Sequence, residues 1–239
     1  MSLAGKTALI TGSTQGLGLA AARQFEAAGC RIVVNGVVDG TFVGADLRNP
    51  AEIDAMIAAA GPIDILVNNA VVRHSAPIDR FDSARWDESL AVNLSAAFHT
   101  IRLALPGMKA RNWGRIINVS SIYGQRGAAN RVGYVTTKTA LIGLTRAVAL
   151  EVVGTGVTCN AVCPGTTETP VHEATIQSLM QAEGLSRGEA EKQFLAGKQP
   201  TGRIISADDV AAMMVFLCGP ASNDINGSIL PIDAGWSAS

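Results

Sequence analysis

The chain has 239 residues, of which 48% are hydrophobic and only 16% charged, with 5% aromatics and a formal net charge of −1. That composition suits helices of Ala, Val, Ile and Leu covering a buried sheet, and the absence of any basic run argues against a nucleic-acid partner. No apolar run approaches the ~20 residues needed to span a bilayer and no charged-then-apolar leader opens the chain, so a soluble, cytoplasmic protein is expected. Cys30, Cys159, Cys163 and Cys218 show neither metal-ligand nor disulfide spacing, and no metal is expected.

Residues 6–10 form a short apolar run that ends at Thr11-Gly12-Ser13-Thr14-Gln15-Gly16-Leu17-Gly18, after which a helical pattern continues to Gly29 as C-cap. Strand, glycine turn and helix are the setting of a dinucleotide fingerprint, in which a pyrophosphate sits on the helix N-terminus. The spacing is G-x-x-x-G-x-G rather than G-x-G-x-x-G; a bare turn is the bland alternative, and its place after the first strand favours a phosphate cradle. Residues 31–35 are the second strand, whose end should meet an adenosine ribose. Asn35-Gly36 stands there, and Ser13, Thr14 and Gln15 include no cation that would neutralise a 2′-phosphate, so NAD is expected rather than NADP.

Only residues 36–40 separate this strand from Thr41-Phe42-Val43, too few for the helix a parallel crossover normally contains. A vestigial or irregularly reached third strand and a more open adenine pocket are expected. Asp46-Leu47 follows, then Asn49-Pro50 as cap and first turn of a helix to residue 60. Residues 63–67 are a buried strand ending at Asn68-Asn69-Ala70, residues 83–109 are helical in two pieces around Asn93, and residues 114–119 are a fifth strand running into Ser120 and Ser121. A long helix covers 130–153, and a sixth strand, 157–162, is broken by Cys163-Pro164-Gly165. Residues 166–198 hold two short amphipathic segments joined at Gly184, with Gly184 and Gly197 as possible hinges. Ser206-x-x-Asp209 opens a helix in the manner of a capping box, and residues 228–232 close the sheet. The alternation indicates one doubly wound α/β domain over residues 1–239, of Rossmann type, with about seven parallel strands, helices on both faces and residues 166–199 as a substrate-covering lid.

Tyr134 and Lys138 lie four apart and so share a helix face. A cation roughly 4 Å from a phenol, at an effective dielectric near 20, is worth about 4 kcal/mol to the phenolate form, which acid–base chemistry by tyrosine requires. Alone the pair is a weak signal, because such pairs arise by chance on solvated faces.

Thr11-Gly12-x-x-x-Gly16-x-Gly18, Asn68-Asn69-Ala70, Asn93, Ser121, Tyr134-x-x-x-Lys138 and Pro164-Gly165, in that order, resemble the short-chain dehydrogenase/reductases over essentially the whole chain. The resemblance implies an NAD-dependent oxidoreductase acting on CH–OH donors. In it Tyr134 is the acid–base residue, Ser121 holds the substrate oxygen in preference to Ser120, Lys138 binds the nicotinamide ribose, and Asn93 positions a water behind Lys138. It also implies cofactor contacts from Gly12, Ser13, Thr14, Gly16, Leu17 and Gly18, from Asn35, Asp46 and Leu47, and from Asn69, Ala70, Lys138, Pro164, Gly165, Thr167 and Thr169. A homotetramer packed through 83–109 and 130–153 is a further expectation from the family. One departure is Val71, where a glycine normally follows Asn-Asn-Ala; it adds a side chain near the nicotinamide ribose.

Within the family, Asn35-Gly36, residues 93–99 and 114–118, Lys198-Gln199-Pro200 and Asp233-Ala234-Gly235-Trp236 look most like the D-3-hydroxybutyrate dehydrogenases. In those enzymes polar side chains at positions matching Arg73, Tyr123, Arg131 and Thr175 hold a small carboxylate. The usual residues there are glutamine, histidine, lysine and glutamine, so this pocket is altered at all four. The two arginines either are solvated or present planar forks suited to carboxylate, sulfonate or phosphate. The expected substrate is a small anionic hydroxy acid, 3-hydroxybutyrate-like, bound by Arg73, Tyr123 and Arg131. The alternatives are an NADP-dependent 3-oxoacyl-carrier-protein reductase, a polyol or sugar dehydrogenase, and a catalytically silent NAD-binding regulator. His74 and His172 read as surface or loop residues.

Overall fold

The computed structural model describes residues 2–36 and 44–238. Short aliphatic runs form β1 (Thr7–Ile10), β2 (Arg31–Val34), β3 (Ile65–Asn68), β4 (Gly114–Val119), β5 (Val157–Pro164) and β6 (Ile229–Ile232). They build one sheet in the order β2-β1-β3-β4-β5-β6, and every neighbouring pair is parallel. β1, β3, β4 and β5 are buried along their whole length, which is why they read as continuous apolar runs rather than alternating ones. Six strands are present among the described residues, not about seven. The Thr41–Val43 run and most of the shortened crossover lie in residues 37–43, outside the described residues.

Successive side chains of a strand face opposite layers, and the two cores divide accordingly. Ile10, Val67 and Ile117 pack with Phe25 and Met214, under α1 (Gly16–Ala27) on one side. Leu9, Leu66 and Ile116 pack with Ile53, Met108 and Val148 on the other, under α2 (Pro50–Ala60). Asn49 caps α2 by accepting the Ala51 N–H at 3.1 Å, as the Asn-Pro pair predicts.

The helical stretch around Asn93 is indeed in two pieces: α3 (Ser83–Leu90) and α4 (Ala96–Ala110) flank a π-helical turn at Ala91–Ser95. After α5 (Val132–Glu151) the sheet departs from expectation, because Cys163 and Pro164 extend β5 by pairing with Pro231 and Ile232. The proline is tolerated because β4 has already ended opposite Val162, so no strand waits on that side for the missing N–H. Two further helices, α6 (Pro170–Glu183) and α7 (Arg187–Phe194), join through Gly184 in the left-handed conformation. The capping box lies at the start of α7, where Ser186 and Glu189 bond reciprocally. At α8 (Ala207–Phe216) the expected box is absent: Ser206 instead accepts the Asp208 N–H at 3.2 Å, since Asp209 carries a shorter side chain than Glu or Gln.

β1 lies between β2 and β3, so the winding direction reverses beside it. A crevice opens there beyond the carboxyl ends of the strands, and the segments after β4 and β5 reach the same edge.

Candidate active site

The glycine turn is tied to the end of β3. The Thr11 hydroxyl accepts the N–H groups of Asn69 and Ala70 at 2.9 and 3.1 Å, while the Asn69 amide donates to the carbonyls of Thr11 and Gly12 at 2.9 and 3.1 Å. Gly12 sits at φ +63°, and a Cβ there would stand 2.9 Å from the Ala70 Cα. At Gly18 a Cβ would stand 2.3 Å from the Gly12 carbonyl oxygen, so helix and turn approach as only glycine permits. α1 then begins with no side-chain cap from Gln15, which leaves its first-turn N–H groups to the cleft. That turn fits the pyrophosphate of a dinucleotide.

The residues beyond the turn, towards the adenosine end, are arranged differently from expectation. Asn35 is buried, and its side chain accepts from the Gly12 N–H and donates to the Ala45 carbonyl, both at 3.4 Å. It braces the turn from below, giving the Gly12 N–H an acceptor. The Ser13 hydroxyl is likewise turned inward, donating to the Ile10 carbonyl at 2.8 Å. Thr14 packs on Gly36. Leu47 belongs to the core, and Asp46 is held by Arg48 at 2.6 Å instead of standing free for a ligand.

Lys138 is 2% exposed, and its ammonium donates to the Val119 carbonyl at 2.6 Å. Burial first, and the nearby Arg73 charge second, bring its pKa down to about 7. Its Nζ lies 5.7 Å from the Tyr134 ring centroid, and the Arg73 guanidinium lies 5.4 Å from the same centroid. The Ser120 hydroxyl is consumed by the Lys138 carbonyl at 2.7 Å. Ser121 instead caps the short turn at Ile122–Gly124, accepting the Tyr123 N–H at 3.2 Å, and keeps its own hydrogen for the cleft. The Asn93 side chain clamps Val72, accepting its N–H at 2.8 Å and donating to its carbonyl at 3.0 Å, with a 3.3 Å bond to Thr137. Its amide is thus engaged with protein groups and fixes the segment after Asn69.

Two clefts meet at these residues. One, of about 390 Å³, runs from Gly12 and Gly16–Gly18 past Asn69 and Val71 to Ser121, Tyr134 and Lys138, with Pro164, Gly165, Thr167 and Thr169 on its far wall. The other, of about 350 Å³, is lined by Tyr123, Arg131, Thr175, Phe194, Lys198 and Trp236. Arg73, Ser121, Tyr134 and His172 belong to both. All three expected substrate residues therefore face one space, together with Thr175. Ala70, unlike its neighbours Asn69 and Val71, supports the turn from behind.

His172 is a wall of the site, not a surface residue. Its Nδ1 lies 2.7 Å from the Thr167 carbonyl, which requires the Nδ1–H tautomer, and burial followed by the charges of Arg73, Lys198 and Arg131 lowers its pKa. The position of His172 just inside α6, after Pro164-Gly165, was the available signal. Lys198 was also missed as a site residue; it donates to the Phe194 carbonyl at 2.8 Å and lies 4.1 Å above that ring. The base of the segment between β5 and α8 is closed by Gln199, which accepts the Thr166 N–H, and by Ile205, which bonds both Thr166 and Glu168.

Residues 6–179 match the short chain dehydrogenase family. The chain is 42% identical to a D-beta-hydroxybutyrate dehydrogenase of Cupriavidus necator over 99% of each sequence. It is 40% identical to one of the same name from Rhizobium meliloti, over 98% of this chain and 99% of the relative. Among solved structures, L-sorbose reductase from Gluconobacter frateurii, complexed with NADPH and L-sorbose, superposes with a TM-score of 0.93 at 29% identity, covering 100% of this chain and 99% of that one.

Proposed function

The chain belongs to the short-chain dehydrogenases, nicotinamide-linked oxidoreductases of CH–OH donors, and from that premise we propose that it transfers hydride between NAD and a small anionic hydroxy acid. The observation that carries this reading is the junction: Tyr134 and Ser121 stand where a glycine-floored cleft meets one lined by Arg73 and Arg131. The substrate is 3-hydroxybutyrate-like, in keeping with the names of the two bacterial relatives. Bound NAD supplies the hydride acceptor.

Tyr134, Ser121, Lys138 and Asn93 form the catalytic group. Tyr134 takes the hydroxyl proton as the carbinol C–H bond breaks, and Ser121 donates its hydrogen to the oxygen on which charge develops. Lys138 fixes the far side of this pair through Val119, and Asn93 holds the Val72 segment that carries Arg73 to the site. Arg73, Tyr123 and Arg131 line the space that receives the acidic end of the substrate.

Support for NAD over NADP comes from the chain after β2, where Asn35 to Leu47 includes Asp39 and Asp46 but no Lys or Arg. The next cation, Arg48, is committed to Asp46 and Glu88. We read residues 1–239 as one cofactor-binding unit with 166–199 as its lid. The outward apolar side chains Phe98 on α4 and Leu150 on α5 support a tetramer packed through those helices.

The test is reduced-nicotinamide absorbance with NAD or NADP and a panel of 3-hydroxy acids, sugars and polyols. NAD with a hydroxy acid is expected to turn over fastest, and Tyr134→Phe to lower kcat roughly 10²- to 10⁴-fold without loss of folding. A clear preference for NADP, or for a polyol, overturns the reading.

A further inference from the structure

The cleft that receives the substrate carries more positive charge than one carboxylate neutralises. Arg73, Arg131 and Lys198 all line it, and no Asp or Glu is among the residues that do. By contrast Arg48, Arg102, Arg111 and Arg187 each meet a carboxylate at 3.3 Å or less. Among the described residues none of the three cleft cations forms a salt bridge. Like charges gathered in a partly desolvated space repel unless a ligand offsets them, and such a field rewards the anion that does so.

The three cations fall into two groups. Arg73 stands 5.4 Å from the Tyr134 ring centroid and reaches both clefts, so it belongs beside the reacting carbon. Arg131 and Lys198 line the substrate cleft alone, and after burial the Arg131 charge is what lowers the Lys198 pKa. Lys198 gives one hydrogen to Phe194 and keeps two for a ligand. His172, which lines both clefts, points its remaining ring nitrogen lone pair away from the Thr167 carbonyl.

We propose that the substrate is a dianion: a secondary alcohol with one acidic group at Arg73 and a second at the Arg131–Lys198 pair. This deepens the dehydrogenase reading above and rests on it. Oxidation moves hydride from the carbinol carbon to NAD⁺ and the hydroxyl proton to Tyr134, leaving a ketone with both acidic groups intact. Either a carboxylate or a sulfonate serves as the second group, since both offer oxygens to an arginine fork.

3-Hydroxyglutarate is 3-hydroxybutyrate with a second carboxylate at the methyl end, and its monomethyl ester keeps the size while removing that charge. With NAD, kcat/KM for the diacid, or for the matching 4-sulfonate, is expected to exceed both monoacids by about tenfold or more. The larger of those two preferences identifies the second group. Arg131→Gln and Lys198→Gln should each bring the ratio back towards one. Glutarate should also displace substrate from the unmodified protein about tenfold more tightly than butyrate. Monoacids turned over as well as the diacid and the sulfonate would overturn the dianion and leave the dehydrogenase reading standing. No turnover of any of these alcohols would bring down both.

Discussion

Lys138 keeps its ammonium within 2.6 Å of the Val119 carbonyl while only 2% of its surface reaches solvent, and Arg73 adds a like charge nearby. Its pKa of about 7 in the folded protein lies below the ordinary 10.5, so between those values the unfolded chain binds more protons than the folded one. Stability contributed by this group therefore rises with pH from about 7 towards 10.5, and the burial penalty is fully present below 7. Replacing Lys138 with methionine removes that dependence. The unfolding free energy of Lys138→Met relative to the unmodified protein should shift in the variant's favour by roughly 3–5 kcal/mol between pH ~10 and pH ~6. Denaturant melts at a series of pH values measure this, and a difference that stays flat with pH would contradict it. Tyr134, Ser121 and Lys138 were legible as residues because their separation along the chain survives folding as a shared site. The inward bonding of Asn35 was not, because it depends on which N–H groups the turn leaves open, and spacing does not encode that. His172 and Lys198 were missed because the segment that carries them is remote from Tyr134 in sequence.

The elements that frame the cofactor cleft depend on backbone approach rather than on side chains. At Gly18 an added Cβ meets the Gly12 carbonyl oxygen at 2.3 Å and the Asn69 amide at 2.5 Å, neither of which can move without disturbing the turn. Gly18→Ala is expected to weaken NAD binding by at least tenfold and to lower Tm, read by calorimetric titration and melting. Gly188→Ala, on α7 where a Cβ meets nothing within 4 Å, should be neutral or stabilise by up to about 1 kcal/mol, with NAD affinity unchanged. Equal effects of the two would show that the tight packing at Gly18 is not what matters. At this scale the strands were readable, since strands buried on both faces cannot avoid continuous apolar sequence. The break around Asn93 was readable too. The extension of β5 through Pro164 was not, because it depends on β6 lying opposite Cys163 and Pro164 after β4 has ended.

For the whole molecule, the parallel sheet brings the loops after β1, β3, β4 and β5 to one edge, where residues of α6 and α7 also line the clefts. No helix among the described residues is long and apolar enough to cross a membrane. The alternation of strands and helices made the doubly wound fold legible, whereas the meeting of two clefts at Tyr134 was not. At that meeting Thr175, Phe194 and Lys198 line one cleft together with Arg73 and Arg131. On the proposed reading this site selects its alcohol by charge. The direct measurement is the ratio of kcat/KM values with NAD for 3-hydroxybutyrate and for its uncharged methyl ester. The acid should lead by about tenfold or more, as a charge-assisted bond to arginine implies. An ester oxidised as efficiently as the acid would contradict the account.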